Sequence, residues 1–410
     1  KGNVIVGQSG GPTAVINSSL AGVYRTAVDR GAKKVYGMLY GIQGLLDEQY
    51  VDLSKYIRSD LDVEILKRTP SAFLGTCRYK LPDIHENQEI YVKIFEILNK
   101  LNIECFIYIG GNDSMDTIKK LSDYAILTGQ SQKFVGVPKT IDNDLALTDH
   151  TPGYGSAAKY IATSTKEVIR DGIGFSYKKQ QVIIIEIMGR NAGWLTGAAA
   201  LSRGEDCDGP DLIYLPELTF DIEKFTAKVR KLLVKKDVVV VAVSEGIRIQ
   251  DGRYVSELGS ASDYVDAFGH KQLTGTASYL ANVIHRDIGC KTRAVEFSTL
   301  QRSAAHLASR VDVNEAFMVG GAAVKAADEG DSGKMVVIDR VSDDPYQCAT
   351  GIYDVHKIAN GEKMVPREWI TKDGTYVTEE FIDYVRPLIQ GDSPSVMVDG
   401  IPRHLYMGKK

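Results

Sequence analysis

Residues 106–121, FIYIGGNDSMDTIKKL, pass from an apolar β-type run through a glycine pair into a helical pattern with Met115, Ile118 and Leu121 three apart. A strand, a glycine turn and a helix start form an anion cradle, because glycines admit a close backbone approach and the first helical N–H groups point at the ligand. Gly111 and Ser114 are candidate contacts to a donor phosphate on this reading. Asp113 places a carboxylate in the same turn, and that choice needs a chemical reason. A second glycine turn, GQSGGPTAVIN at 7–17, would let the backbone at Gly10 and Gly11 meet a phosphate, although glycine at a strand–helix turn also serves packing. It is neither the GxGxxG nor the GxxxxGK[ST] pattern, so neither dinucleotide nor P-loop binding is implied.

PKTIDND at 138–144 sets Asp142 and Asp144 on either side of Asn143, with Lys139 and Thr140 just before them. Asp, Asn and Thr also favour Asx-turns and helix caps. Next to a lysine at a strand end, a carboxylate here suits accepting the proton of an attacking hydroxyl, while the ammonium neutralises a phosphoryl group in transit. Arg190 in IMGRNAGW begins a helical run, where a guanidinium suits a phosphate or sugar oxygen. Glu245 in SEG ends another apolar run and suits a sugar hydroxyl. Arg78 in FLGTCRYK and Arg293 and Arg302 in TRAVEFSTLQR complete four arginines near strand ends and turns. Each alone also reads as a surface ion pair; together, in a net-acidic chain, they point to a polyanionic substrate.

The elements that must carry these residues repeat one pattern of short apolar run, glycine turn and helical run, at 4–23, 106–121 and 182–201. Val238–Ile247 repeats the strand and turn, and FVGVPKTIDND at 134–144 is another strand running into a polar loop. Val- and Ile-rich runs separated by helices predict βαβ units and mainly parallel sheets covered on both faces. The first and third stretches resemble each other, with Asn17 and Asn191 in corresponding places and small-residue helices after them. The expectation is an α/β chain of two similar Rossmann-like domains with the active site in the cleft between them. Residues 1–150, with part of 300–345, would bind the phosphoryl donor, 151–300 the acceptor, and 346–410 would form a C-terminal extension without an assigned role. In parallel sheets ligands bind beyond the carboxyl ends of the strands, and every motif above lies at such an end.

The 410 residues are 44% hydrophobic and 25% charged with a formal net charge of −4, which suits a soluble globular protein and argues against nucleic-acid or anionic-membrane partners. Five scattered cysteines without a CxxC pair read as reduced thiols and no zinc site. The apolar runs are of strand length, and the chain opens directly on one, so a cytoplasmic location without signal peptide or membrane span is expected.

GQSGG, FLGTCR, GGNDS, PKTIDND, MGR, SEG and LQR occur in the order and spacing of the phosphofructokinase superfamily, which this chain resembles over about residues 4–310. The resemblance implies transfer of a phosphoryl group to the 1-hydroxyl of fructose 6-phosphate with Mg²⁺, in a glycolytic enzyme that is a homodimer or homotetramer. ATP-using members typically carry GGDGS and PGTIDND. Asp113 and Lys139 in place of those glycines resemble the pyrophosphate-dependent branch, for which the transfer is reversible. The physics agrees. Two like charges about 4 Å apart at an effective dielectric of about 20 repel by about 4 kcal/mol, of order a thousandfold in affinity. A carboxylate at position 113 therefore excludes the α-phosphate of ATP, while pyrophosphate has none.

Carried over by resemblance, Asp142 is the proton acceptor, and Thr140 and Ile141 lie in the loop that meets the substrate. Asp144 orients the metal or Lys139, and Gly11 meets the donor phosphate. Arg78 bridges donor and transferring phosphate. Met188, Gly189, Arg190 and Glu245 line the acceptor pocket, and Arg302 with Arg293 holds the 6-phosphate. The chain departs from the family pattern at Asn112, where many members have a metal-binding Asp, at Gln181, where bacterial ATP enzymes have an arginine, and at Thr299, where they have a histidine. The competing readings are an ATP-dependent 6-phosphofructokinase and a non-catalytic sugar-phosphate-binding paralogue; the presence of Asp142 and Arg78 weighs against the second. A longer acceptor such as sedoheptulose 7-phosphate is also open.

Overall fold

The computed structural model describes residues 2–259, 266–270, 273–358 and 361–408. The strands fall into two main sheets. In the first lie β1 (Asn3–Gln8), β2 (Val35–Met38), β3 (Tyr50–Asp52), β4 (Ile103–Gly110) and β5 (Lys133–Pro138). The second holds β6 (Gln181–Ile187), β7 (Leu212–Tyr214), β8 (Val238–Ser244) and β9 (Lys291–Glu296). The chain then returns to the first sheet with β10 (Lys334–Asp343) and β11 (Tyr346–Asp354). The first sheet is ordered β11-β10-β5-β4-β1-β2-β3 and the second β7-β8-β6-β9. All pairings in the second sheet are parallel, and in the first only the outer pairs β2–β3 and β10–β11 are antiparallel. The chain is thus α/β with mainly parallel sheets, as the Val- and Ile-rich runs require. β6 and β8 are buried along their whole length because helices cover both faces.

Helix packing in the first unit rests on a glycine seam. The helix Ile16–Asp29 crosses the helix Arg310–Asp328 so closely that a Cβ on Gly22 would sit 2.1 Å from Phe317 O, and one on Gly320 2.1 Å from Ser19 O. The second of these helices also reaches the other unit. Asp312 accepts from the Gly153 and Ser156 backbone N–H groups at 3.0 and 2.9 Å and so caps the helix Tyr154–Phe175. A carboxylate at that position satisfies orphan helix donors and complements the helix dipole.

Two features differ from the sequence expectation. The stretch after β6 matches the one after β1 only as far as the turn: its helix is the four residues Trp194–Gly197, continued by a 3₁₀ turn. The aromatic ring of Phe381 packs against Gly197, where a Cβ would approach to 2.4 Å. Residues 346–410 do not form one extension. β11 completes the first sheet, whereas Phe381, Ile382, Tyr384, Val385 and Leu388 enter the core that holds Trp194, Leu195 and the inner face of the second sheet. A last hairpin pairs Met397–Val398 with Ile401–Pro402. Among the described residues no helix is long and apolar enough to cross a membrane.

Adding even a methyl group on the glycine seam forces two backbones apart, and overpacking of this kind costs about 1–3 kcal/mol. Gly320→Ala is therefore expected to lower the unfolding free energy by about that much, read in chemical denaturation as a lower midpoint at unchanged slope.

Candidate active site

The carboxyl ends of β1, β4 and β5 in one sheet and of β6 and β8 in the other open onto one cleft. Its donor-side cavity, of about 350 Å³, is lined by Gly10, Gly11, Arg78, Gly111, Asn112, Asp113, Ser114, Lys139, Thr140, Ile141 and Asp142, together with Met188, Arg190, Glu245 and Arg302. A second cavity of about 410 Å³ continues it past Met188, Arg190, Glu245 and Arg302 toward Glu186, Glu296, Thr299 and Gln301. Gly189 supports this wall through its backbone rather than by lining it. With Gly189 included, the structure brings together all the candidate catalytic, donor-binding, acceptor-binding and metal residues except Arg293. That arginine sits mid-strand in β9, half-exposed, and faces Asp171 at 3.8 Å; it lines neither cavity.

Three cations converge on the Gly10–Gly11 turn. Lys139 is buried and donates from Nζ to Gly11 O at 2.6 Å. A methyl group at Gly11 would lie 3.2 Å from Arg302 Nη1 and 3.6 Å from Arg78 Nη2. Gly10 has φ +77°, which holds the turn open in a conformation other residues resist. Burial, then the neighbouring Arg78, pushes the Lys139 ammonium down to about 7, with Asp142 pulling the other way. Burial and Arg78 likewise lower Arg302, whose Nε is buried without a hydrogen-bond partner. Such an assembly of mutually repelling cations is an anion site. Arg78 also reaches across the cleft: its Nη1 meets Asp266 Oδ2 at 2.7 Å and its guanidinium lies 5.7 Å from the Phe268 ring.

The glycine turn at 110–111 is set by packing as much as by ligand access. A Cβ on Gly110 would overlap Ser114 Oγ at 1.9 Å, so only glycine lets the buried Ser114 close the first helical turn. Asp113 in that turn is exposed on the cleft rim, where the helix N-terminus favours its charge. Asn112 Oδ1 is buried with no hydrogen-bond partner.

The carboxylates occupy the opposite wall. Asp142 is partly exposed, and its backbone N–H donates to Thr140 Oγ1 at 3.0 Å. Desolvation raises its carboxyl above the ordinary range against the pull of Lys139 and Arg190. Asp144 is raised to about 7 by desolvation, then by Asp142 and Glu362. Glu245 is raised to about 8 by desolvation; its Oε1 accepts from Gly189 N at 3.2 Å, and its own N–H donates to Ile187 O at 2.9 Å. Met188 N–H donates to Gln301 Oε1 at 3.1 Å, which ties the loop after β6 to the helical turn carrying Arg302.

Sequence reasoning missed Glu362, which lines the donor-side cavity and accepts from Asn191 Nδ2 at 3.3 Å. It arrives from the C-terminal segment by an isolated antiparallel bridge with Leu145, and no local pattern announces it. Phe268 and His270 also line this cavity from a turn without a strand-end signature. Gln181 is buried at the start of β6 and accepts from Ser176 Oγ at 3.2 Å, away from the cleft, and Thr299 stands on the wall of the second cavity.

Comparison with known proteins agrees with this geometry. The phosphofructokinase family model matches residues 3–327. The chain belongs to the phosphofructokinase family. It is 43% identical over 407 residues to the pyrophosphate–fructose 6-phosphate 1-phosphotransferase of Xanthomonas campestris pv. campestris (strain B100), covering 99% of this chain and 96% of that one. It is 40% identical over 409 residues to the protein of the same name from Halomonas elongata, again covering 99% and 96%. Among solved structures, the pyrophosphate-dependent phosphofructokinase from Nitrosospira multiformis superposes with a TM-score of 0.88 at 37% identity, covering 98% of this chain and 95% of that one. Both sequence relatives thus extend over the segment beyond residue 327 that the family model does not match.

Because burial and the neighbouring Arg78 push the Lys139 ammonium down to about 7, anion affinity is expected to fall as pH rises through that value. Sulfate, whose own charge is constant there, is the probe: calorimetric titration is expected to show weakening affinity from pH 6 to 8. Lys139→Arg, a cation throughout that range, should lessen the dependence and leave the part that ionisation of Asp144 and Glu245 in the same cavity contributes.

Proposed function

We propose that this protein moves a phosphoryl group from pyrophosphate to the 1-hydroxyl of fructose 6-phosphate, giving fructose 1,6-bisphosphate and phosphate, and that it runs the reaction in both directions. The observation that carries the reading is the cation cluster over Gly11, walled on one side by Asp113. The cavity offers Lys139, Arg78 and Arg302 to a compact polyanion and carries the Asp113 carboxylate in its lining, a charge that in this reading repels a longer donor. The names of the relatives support the same donor and acceptor.

In this reading Gly11, Gly111 and Ser114 cradle the pyrophosphate, and Arg78 exchanges its pairing with Asp266 for donor oxygens. Arg302 stands where donor and acceptor cavities meet and binds anionic oxygen there. Arg190, Met188, Gly189 and Glu245 hold the sugar phosphate, with the raised carboxyl of Glu245 able to donate as well as accept a hydrogen bond. Thr140 and Ile141 set the height of the loop. Asp142 accepts the 1-hydroxyl proton as the sugar oxygen bonds to phosphorus and the bridging P–O bond breaks. In reverse, the protonated carboxyl returns that proton. Catalysis is mostly alignment and charge neutralisation in a preorganised site. Arg293, outside the cleft of its own chain, has no part in this scheme.

We assign Mg²⁺ to the same donor site. Among the described residues no group of three or more His, Cys, Asp or Glu is arranged to hold a metal. The unpartnered, buried Oδ1 of Asn112 and the carboxylate of Asp144 are oxygen donors suited to a cation whose remaining ligands come from pyrophosphate and water. Bound there, Mg²⁺ would supply charge neutralisation and Lewis-acid character to the donor phosphates. Self-association is supported by the exposed apolar residues of the last hairpin, Met397, Val398 and Ile401, with Tyr406 beyond it.

The donor assignment is tested by replacing both residues that define it. Asp113→Gly with Lys139→Gly is expected to lower kcat/KM for pyrophosphate by at least tenfold and to raise that for ATP from the unmodified level, measured by coupled assay with Mg²⁺ and fructose 6-phosphate. Retained pyrophosphate use with no gain for ATP would remove Asp113 and Lys139 as donor determinants.

A further inference from the structure

We propose that the C-terminal segment 361–385 is a strut that sets the distance between the two catalytic loops, with Tyr384 and Lys363 as positioning residues for Asp142. This goes beyond the donor and acceptor assignment and rests on it only in taking Asp142 as the base.

The loop that carries Asp142 is not self-supporting. Asn143, between the two carboxylates, is fully buried and has φ +54°, a left-handed turn conformation that asparagine adopts more readily than most non-glycine residues. Its side-chain oxygen accepts from Thr151 N–H at 2.9 Å, inside the same loop. Its side-chain Nδ2 donates instead to Tyr384 Oη at 2.8 Å, and that hydroxyl donates onward to Asp149 O at 2.5 Å. One phenolic oxygen therefore ties the turn at 143 to its return at 149. Lys363 adds two further ties: its backbone N–H donates to Asp144 O at 2.8 Å, and its ammonium donates to Thr148 O at 3.0 Å and to Asp149 O.

The same two residues hold the acceptor loop. The indole N–H of Trp194, in the turn after β6 that also carries Met188 and Arg190, donates to Lys363 O at 2.8 Å. The Tyr384 ring packs on the Trp194 ring with centroids 5.1 Å apart. Glu217 joins in from the second unit, accepting from Gly193 N–H at 3.0 Å and from Val365 N–H at 2.8 Å. Lys363 thus has its N–H bonded to the loop of one domain and its carbonyl to the loop of the other. Phosphoryl transfer depends on placing the base and the acceptor within about an ångström of the reactive arrangement. A link that spans both loops, anchored by the buried Val365, Phe381, Ile382 and Val385, has the geometry to fix that spacing.

Tyr384→Phe removes only the oxygen and leaves the ring packing, so it separates positioning from folding. The expected result is a fall in kcat of at least tenfold, with the KM for fructose 6-phosphate within about threefold and the melting temperature close to that of the unmodified protein. Lys363→Met, which removes the ammonium ties but not the backbone ones, should act in the same direction. Phe225→Leu, in the core cluster on the other face of the second sheet and away from both loops, should show the converse: a lowered melting temperature with kcat unchanged in the folded protein. Tyr384→Phe with kcat within twofold of the unmodified protein, or with its loss entirely in KM, would overturn the proposal. Asp142→Asn, measured alongside, keeps the two claims apart: unchanged turnover there would remove the base itself, whereas lost turnover with a silent Tyr384→Phe removes only the strut.

Discussion

Three like charges held at one point constrain everything else in this molecule. Lys139, Arg78 and Arg302 come from a strand end, a loop and a short helical turn separated by long stretches of chain, and they meet over the Gly10–Gly11 backbone. Repulsion and burial both oppose this arrangement, which is why the lysine and Arg302 are less basic than usual. It persists because the surrounding elements over-determine it. Lys139 is fixed by its backbone bond to Gly110 O and its ammonium bond to Gly11 O. Arg302 is fixed through the Gln301–Met188 tie, and Arg78 through Asp266. An anion between them relieves the repulsion, which is the source of the site's affinity for one.

The carboxylate wall is the mirror image. Asp142, Asp144, Glu245 and Glu362 crowd the side facing the cations, and desolvation with mutual repulsion raises the first three. A base in such a setting holds a proton better than an ordinary aspartate, which favours its taking one from a hydroxyl and returning it in the reverse direction. Asp113 belongs to neither group. It stands on the rim in the first turn of a helix, and the proposed donor choice assigns its charge the task of limiting the length of polyanion that the cations draw in.

Much of this was legible in the sequence because parallel α/β folds put ligand contacts at strand ends, and strand ends are marked by short apolar runs giving way to glycine or polar residues. GGNDS, PKTIDND, MGR and SEG all follow such runs and all line or support the cleft. Arg293 shows the limit of the rule: it follows the same composition but lies within β9 rather than beyond it, so its side chain leaves the cleft for Asp171. The short helix after β6 was equally hidden, because the Phe381 ring that packs against its Gly197 lies far along the chain. Glu362, Lys363 and Tyr384 carry no periodic or motif signal, and their roles arise from hydrogen bonds to residues between 143 and 194. Contacts of that sequence separation are invisible to local pattern reading.

Donor choice is where the charge arrangement meets function most directly. Initial rates of the unmodified protein with fructose 6-phosphate and Mg²⁺, measured with pyrophosphate and with ATP at equal concentration, compare the two donors under one set of conditions. The account predicts ready turnover with pyrophosphate and, by the order of the charge repulsion estimated above, about a thousandfold less with ATP. Strong turnover with ATP and none with pyrophosphate would contradict it.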